Sequence, residues 1–154
     1  MNASVTELPF NSFLGIKIAV EKDKILTLPS GGQYLNHLGT VHASAQLALA
    51  EAASGEFLLR SLGAVDNLVP VVRRLESKFR KPANGSVSAS ISTTHETIEQ
   101  TLRELTEKGR SIVPVDVQLH DESGAHTLSA TVEWFITRIA EKPPSEALPA
   151  PNVA

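Results

Sequence analysis

The stretch that decides the fold is NHLGTVHASAQLALAEAASGEFLLR, residues 36–60, in which a polar, glycine-bearing loop leads into a long helix rich in alanine and leucine. Apolar residues occupy every side of this helix, which is typical of a helix enclosed by protein and not of a surface helix. At about 100° per residue, Ser44 and Glu51 fall on one line, and His42 and Gln46 share the opposite side. The pattern predicts a central helix that carries one carboxylate on an otherwise apolar surface.

Glu51 is therefore the first candidate for a functional residue. A carboxylate removed from water must be paired, hydrogen-bonded or neutralised. Glu51 thus requires either a partner or a solvent-filled cleft. Arg60 or Arg73 could supply a structural ion pair, and the residue alone does not decide between this alternative and a catalytic role.

The residues before the helix predict a turn that presents free backbone amides. Gly39 can adopt backbone angles that other residues avoid, and Thr40 is the predicted N-cap. The amides around His42, Ala43 and Ser44 would then lie at the positive end of the helix dipole. Amides in this position suit a carbonyl oxygen or an oxyanion.

Composition limits the class of protein. The chain has 154 residues and is 42% hydrophobic, which fits one domain that buries roughly 70% of its unfolded surface. The net charge of −3 offers no general attraction to nucleic acid or to anionic membranes. The start of the chain lacks a signal-peptide pattern and no segment reaches the ~20 apolar residues of a membrane span. We therefore expect a soluble, cytoplasmic protein.

Metal and thiol chemistry are not expected. The chain contains no cysteine, which excludes disulfides, thiolate metal sites and cysteine nucleophiles. Four of the histidines, His37, His95, His120 and His126, do not show the spacing of metal ligands. We expect no metal and no cofactor.

The first part of the chain predicts a helix or turn followed by a hairpin. Residues 1–14 place Phe10 and Phe13 at near-helical spacing, and we expect both aromatic rings to be packed. Residues 15–29 alternate apolar and polar side chains around a turn, which predicts two paired strands.

After the central helix, residues 68–82 predict a strand on which Val71, Arg73 and Leu75 share one face while Val72 and Arg74 lie on a solvated face. Asn-Gly at positions 84–85 predicts a hairpin with a returning strand. Further along the chain, the sequence predicts a helix over 95–108, capped by Thr93 with Glu96 and ended by Gly109, then strands at 111–120 and 126–139.

These elements predict an α+β domain over residues 1–140, with an antiparallel sheet wrapped around one long central helix. The proline-rich tail, residues 141–154, is predicted to be disordered. One sheet face covers the helix. Because the other face and any open side of the helix would need cover, we expect a homodimer or a dimer of dimers.

The run N-H-L-G-T-V-H-A-S, residues 36–44, resembles the motif of hotdog-fold acyl-CoA thioesterases of the phenylacetate-operon and human thioesterase-superfamily type. Their motif reads roughly N-x-x-G-x-x-H-G-G, with an acidic residue on the helix eight positions after the first glycine of the pair. Asn36, Gly39 and His42 match it in register, and Glu51 falls at the acidic position. Alanine and serine replace the glycine pair. With its inserted helix, the chain is most similar to the uncharacterised thioesterase branch.

The resemblance implies a role for each matching residue. Glu51 would act as general base or nucleophile, and the Ala43 N–H would polarise the thioester oxygen. Asn36 would position the water or the carbonyl, and His42 would support the loop. The family's active sites lie between two subunits, with the acid reaching across.

The substrate would be an acyl-CoA or acyl-carrier thioester. Gly39 and Ser44 are expected to contact it at the start of the helix, and Arg80 and Lys81 are candidates for binding the phosphates of coenzyme A. A basic cluster of this kind is also typical of a solvated strand face.

Two other functions stay open. Replacement of the glycine pair by Ala43 and Ser44 would suit a hotdog protein that binds an acyl-CoA without cleaving it. The separation of His37 and Glu51 would suit a 3-hydroxyacyl thioester dehydratase, although the proline-rich run of that family is absent.

Overall fold

The computed structural model describes residues 4–140; residues 1–3 and the tail at 141–154, for which disorder is predicted, lie outside the described residues. The helices are α1 (Pro9–Phe13), α2 (Ala43–Leu62) and α3 (His95–Lys108). The strands are β1 (Lys17–Ile18), β2 (Leu26–Leu28), β3 (Leu68–Phe79), β4 (Val87–Ile91), β5 (Arg110–Asp121) and β6 (His126–Arg138).

The six strands form one antiparallel sheet in the order β1-β2-β4-β5-β6-β3. The central helix α2 packs against β2, β4, β5 and β6, so it covers the middle of one face, here called the inner face. The predicted α+β class, with an antiparallel sheet around a long helix, is confirmed. The β1–β2 and β5–β6 hairpins are confirmed as well.

Buried and more exposed residues alternate along β5 and β6, and the buried ones form much of the hydrophobic core. Inner-face residues of these strands are almost wholly removed from solvent, and this set includes Val113, Val115, Val117, Leu119, Leu128, Val132 and Ile136. The opposite face, here called the outer face, carries the intervening polar residues. Trp134 closes one end of the core, where its indole N–H donates to the Ser54 hydroxyl of α2 at 2.9 Å.

The predicted hairpin between β3 and β4 is wrong. β3 pairs with β6 at one edge of the sheet, whereas β4 pairs with β2 and β5. The long β5–β6 hairpin therefore lies between β3 and β4. The chain still bends at Gly85, whose φ is 73°, but this bend belongs to a connection that crosses the end of the sheet.

The predicted faces of β3 are correct only from Leu75 onward. A bulge between Val72 and Arg74 takes up Arg73 as an extra residue, and this reverses the alternation before it. Val72 therefore faces inward opposite Trp134, and Val71 faces outward with 54% of its surface exposed. A period-two pattern cannot reveal a bulge, because each side of the bulge keeps its own period.

Helix α3 confirms the predicted bounds and ends at Gly109, whose φ of 68° is left-handed. The predicted cap is wrong by one residue. Thr94 caps the helix by accepting from the Thr97 N–H, and Thr93 instead accepts from the Asp116 N–H at 2.7 Å. The helix packs along the part of β5 that extends beyond its pairing with β4.

Aromatic packing at the start of the chain is not found. Helix α1 has the predicted position, but Phe10 and Phe13 are 63% and 84% exposed. The buried side chains of this segment are instead Val5 and Asn11. The Asn11 amide can be buried because it donates a hydrogen bond to the Val5 carbonyl at 2.9 Å. Within residues 4–140, no helix combines the length and apolar character required to cross a membrane.

Candidate functional site

The start of α2 is capped by His42 and not by the predicted Thr40. The His42 Nδ1 accepts a hydrogen bond from the Ser44 N–H at 3.0 Å, and the His42 N–H donates to the Tyr34 carbonyl at 2.7 Å. Because Nδ1 accepts, the proton of the neutral ring lies on Nε2. His42 therefore links the loop to the start of the helix.

Thr40 is used one step earlier, in a turn organised by Asn36. The Asn36 Oδ1 accepts from the backbone N–H groups of Leu38 at 2.9 Å and Thr40 at 3.1 Å, and its Nδ2 donates to the Thr40 hydroxyl at 3.0 Å. Gly39 completes the turn with a φ of 74°, which favours glycine. These contacts occupy the Asn36 oxygen and one of the two Nδ2 hydrogens. The second Nδ2 hydrogen is therefore the group of this side chain that could bind a ligand.

Of the three backbone amides predicted to be free, one lacks a hydrogen-bond acceptor within residues 4–140. The His42 and Ser44 N–H groups are bonded as described above, whereas the Ala43 N–H has no acceptor within residues 4–140. Ala43 is exposed, so this amide lies at an accessible end of the helix. The helix dipole adds positive character to this single donor.

The helix α2 is enclosed on the inner-face side but open along another. Leu49, Ala50 and Ala53 are fully buried. Ala43 and Ser44 are exposed, and a partly exposed stripe continues through Ala45, Leu47, Ala48 and Glu51. The prediction of full enclosure is therefore wrong for the single chain, and Glu51 lies on the open side.

Glu51 is a partly buried carboxylate without a partner. No side chain within residues 4–140 donates a hydrogen bond to it or forms an ion pair with it. The proposed arginine partners are both engaged elsewhere, Arg60 with Glu56 at 3.0 Å and Arg73 with Glu133 at 3.2 Å. Neither arginine thus forms the structural ion pair with Glu51 in the part of the chain that the structure describes. Burial raises the pKa of Glu51 because it disfavours the charged form.

A second carboxylate of α2 escaped the sequence reasoning. Glu56 is 6% exposed and accepts from the Ser4 hydroxyl and the Val5 N–H, both at 3.0 Å, in addition to Arg60. It therefore ties the N-terminal segment to the helix. The available signal was Arg60 four residues later, a spacing that pairs side chains on one helix face, whereas Glu51 has the apolar Leu47 and the small Gly55 at that spacing.

Arg80 and Lys81 are exposed at the end of β3. The connection that follows them touches the helix start, because the Ala83 carbonyl accepts from the Val41 N–H at 2.9 Å. His37 is exposed in the turn before α2, and within the described part of the chain it makes no contact with Glu51 that would form a catalytic pair. Residues 4–140 hold no cluster of three or more metal-binding side chains.

The unpartnered burial of Glu51 has a consequence for stability. Since its pKa is raised on folding, the folded chain loses stability relative to a neutral side chain as pH rises from the ordinary value of 4.5 through the raised pKa. We predict that Glu51→Gln raises the melting temperature at pH 7, and that this gain shrinks toward zero as pH falls below 4.5. Thermal unfolding across pH measures it. Glu107→Gln on the exposed side of α3 is the control, and a lower melting temperature for Glu51→Gln at pH 7 would reveal a stabilising partner.

Comparisons with known proteins agree with this architecture. A family model described as Domain of unknown function (DUF4442) matches residues 9–136. The comparison with curated proteins finds no match. Among solved structures, a protein of unknown function from Pseudomonas aeruginosa, described as a probable thioesterase, is 26% identical with a TM-score of 0.72, over 88% of this chain and 91% of its own.

Two further solved structures share the fold. A protein from Bacillus halodurans, solved with CoA, is 21% identical with a TM-score of 0.63, over 82% of this chain and 74% of its own. A thioesterase from Haemophilus influenzae is 18% identical with a TM-score of 0.63, over 89% and 88%. The structural neighbours are thioesterase-family hotdog proteins, and the hotdog fold implied by the resemblance is confirmed. The family model matches most of the length of this chain, and the chain therefore belongs to the DUF4442 family.

Proposed function

We propose that the protein hydrolyses acyl-CoA or acyl-carrier thioesters, with Glu51 as general base or nucleophile and the Ala43 N–H as the donor to the carbonyl oxygen. The observation that carries the proposal is the state of Glu51, a partly buried carboxylate with a raised pKa and no partner within residues 4–140. It lies on the open side of a helix whose first amide is also free.

As general base, the Glu51 carboxylate takes a proton from water while the water oxygen attacks the thioester carbon. The carbonyl electrons move to oxygen, where the Ala43 N–H and the helix dipole stabilise the negative charge. Collapse of this intermediate breaks the carbon–sulfur bond, and the proton on Glu51 passes to the leaving thiolate. The products are a carboxylic acid and a thiol. A raised pKa favours the role, since a base is most effective when its pKa approaches the working pH.

The two proposed catalytic groups of one chain lie too far apart to form a complete site. Ala43 and Glu51 are eight positions apart on α2, which at 1.5 Å per residue is roughly 12 Å along the axis. A thioester bound at the Ala43 amide is therefore beyond the reach of the carboxylate of the same helix. Two copies related by a two-fold axis perpendicular to α2 run their α2 helices in opposite directions, which can bring Glu51 of one chain toward Ala43 of the other.

The edge of the sheet offers a surface for the second copy. β3 pairs with β6 on one side, and within residues 4–140 no strand pairs with its other side. An edge of 12 residues leaves a row of N–H and C=O groups that can pair with the same edge of a second copy. The exposed Val69 and Val71 at the start of β3 favour such cover. We therefore propose a homodimer as the active unit.

The remaining residues of the motif would prepare the loop for the substrate. Asn36 and Gly39 set the turn, and His42 fixes the first turn of α2. Ser44 is exposed beside Ala43, and in this proposal its hydroxyl would donate to the bound substrate. Arg80 and Lys81 follow at the surface as candidates for phosphate binding.

The first test removes the proposed base. We predict that Glu51→Gln and Glu51→Ala fold but lose roughly 10²- to 10⁴-fold in turnover, the range for a general acid–base residue. Thiol release is measured over short, long and aromatic acyl-CoA esters. Glu107→Gln serves as the control with unchanged turnover. Full activity in either Glu51 variant would remove the mechanism.

The second test removes the proposed donor. Ala43 is the first residue of α2, a position where proline is tolerated, and the extended backbone of His42 suits a residue before proline. We predict that Ala43→Pro, which deletes the N–H, lowers kcat by about 10²- to 10³-fold. Ala43→Gly retains the N–H and should retain activity. If both variants hydrolyse thioesters equally well, the Ala43 amide does not stabilise the oxyanion.

The third test asks whether two chains share one site. Ala43→Pro and Glu51→Gln chains with different affinity tags are co-expressed, and the mixed dimer is purified through both tags. Such a dimer has one site with Glu51 and the Ala43 N–H intact, so we predict roughly half of wild-type activity from two inactive chains. Background activity in the mixed dimer would place both groups in one chain, and failure to recover a mixed dimer would argue against the dimer.

Two other functions would give different results. Alanine and serine at positions 43 and 44 also suit binding without cleavage, for which calorimetry would show tight binding of a CoA ester with no release of thiol. A dehydratase would convert a 3-hydroxyacyl thioester into an enoyl product.

A further inference from the structure

Arg80 belongs to a polar cluster on the outer face of the sheet. Its Nε donates to the Ser129 hydroxyl at 2.8 Å, and Ser129 donates to the Gln118 Oε1 at 2.7 Å. The His126 Nε2 lies 2.9 Å from the same oxygen. Because a carbonyl oxygen can only accept, His126 carries a proton on Nε2. Arg80 is therefore the outermost member of a connected set of four side chains, here called the Arg80 cluster.

The Arg80 cluster is supported from behind. The His120 ring stacks on the His126 ring, with centroids 4.9 Å apart and planes inclined by 16°. Gln118 and Ser129 lie directly opposite each other on β5 and β6, so the strand pairing itself holds them together. The hydroxyl that orients Arg80 thus stands on two paired strands and not on a loop.

The guanidinium has one edge left for a ligand. Its Nε is used by Ser129, which leaves the two terminal nitrogens side by side, and no carboxylate within residues 4–140 forms an ion pair with Arg80. Two parallel N–H groups match the geometry of a phosphate or a carboxylate. Fixing the Nε also reduces the rotamer entropy that an exposed arginine loses when it binds.

The surrounding charges favour an anion. Lys78 lies opposite Ser129 on β3, and Lys81 follows Arg80. Of the carboxylates in the adjoining cleft, Glu76 is bound to Arg74 at 2.8 Å, and Asp116 accepts from the Thr131 hydroxyl. Glu76 is therefore compensated, whereas Asp116 keeps its charge. Within residues 4–140, Lys78, Arg80 and Lys81 form no ion pair, so the unpaired cations outnumber the unpaired carboxylate of the cleft.

The position of the cluster relates it to the start of α2. From Arg80 the chain reaches Ala83 in three residues, at most roughly 11 Å at 3.8 Å per step. Ala83 is hydrogen-bonded to Val41, two residues before Ala43, and the Asp121 carboxylate holds the Asn84 N–H at 3.0 Å. A short connection thus joins the Arg80 cluster to the start of α2, where the thioester is proposed to bind, which suits a distant part of an extended substrate.

We propose that Ser129, held by Gln118 and His126, is a positioning residue that orients Arg80 toward a phosphate on the thiol half of the substrate. This rests on the proposed function, and it selects coenzyme A thioesters over thioesters of pantetheine, which lack the phosphorylated nucleotide. The acyl half of such a substrate carries no phosphate. The Arg80 cluster would therefore recognise the coenzyme A half of the substrate and not the acyl chain.

The test compares two substrates with the same acyl group, one an ester of coenzyme A and the other of pantetheine. Ser129→Ala is expected to raise KM for the CoA ester about 3- to 10-fold, the effect of one lost hydrogen bond, with kcat unchanged. KM for the pantetheine ester is expected to stay the same. Ser129→Thr, which retains the hydroxyl, is expected to restore the wild-type KM.

The matched control is Thr131→Ala, which removes a hydroxyl from the same face of β6 that bonds to Asp116 and not to Arg80. It is expected to leave KM for both esters unchanged. If Ser129→Ala alters both esters equally, Ser129 has only a structural role; if it alters neither, Ser129 does not orient Arg80 toward the substrate. Either result overturns the proposal.

Calorimetry separates this proposal from the hydrolase itself. Free coenzyme A is expected to bind wild type more tightly than pantetheine, and Ser129→Ala is expected to reduce the difference. That result in a protein that hydrolyses no thioester would retain the Arg80 cluster as a phosphate-binding group while removing the proposed hydrolysis. Equal affinity of wild type for coenzyme A and pantetheine would overturn the role of the Arg80 cluster, whether or not hydrolysis is observed.

Discussion

The packing of α2 against the inner face of the sheet is the constraint on which the rest of the structure depends. Ala50 and Ala53 are fully buried there, and their small side chains let the helix approach the strands closely. Trp134 and Ser54 fix one end of the contact. Once the helix is seated, its rotation is set, and the line through Ser44 and Glu51 must face away from the core. The open side of α2 is thus a consequence of packing, and the core does not have to accommodate the Glu51 charge.

Two carboxylates of one helix show what sequence reasoning can and cannot resolve. Glu51 was identified because an acid on an apolar helix requires an explanation. Glu56 was not, although it is the more deeply buried of the two, because its partners Ser4 and Val5 lie about fifty positions away in the chain. Helical spacing predicts partners within a turn or two, as it does for Arg60. It does not predict which distant segment folds onto the helix.

The fold followed from the sequence where the signal was local and failed where it depended on pairing across the chain. The bounds of α3 and the β5–β6 hairpin were predicted correctly, since each has its own cap, turn or alternation. The chain bends at Gly85, within the predicted Asn-Gly turn, yet β3 joins β6 and not β4. A turn residue fixes the conformation of a few bonds, whereas the choice of neighbouring strand is decided by total burial. The bulge at Arg73 is likewise invisible in an alternating pattern.

Within the candidate site, the resemblance pointed to the loop before α2. Which of its residues caps the helix and which amide stays free could be seen only from the hydrogen bonds of the structure. His42 caps α2 in place of the predicted Thr40, and of the three amides predicted to be free, that of Ala43 is the one without an acceptor within residues 4–140. This reduces the site of a single chain to one amide and one acid, roughly 12 Å apart along the helix. Neither group alone can move a proton and stabilise an oxyanion at the same carbon. Assembly is therefore part of the proposed chemistry: a chain that folds correctly but remains alone would present both groups to solvent and catalyse nothing.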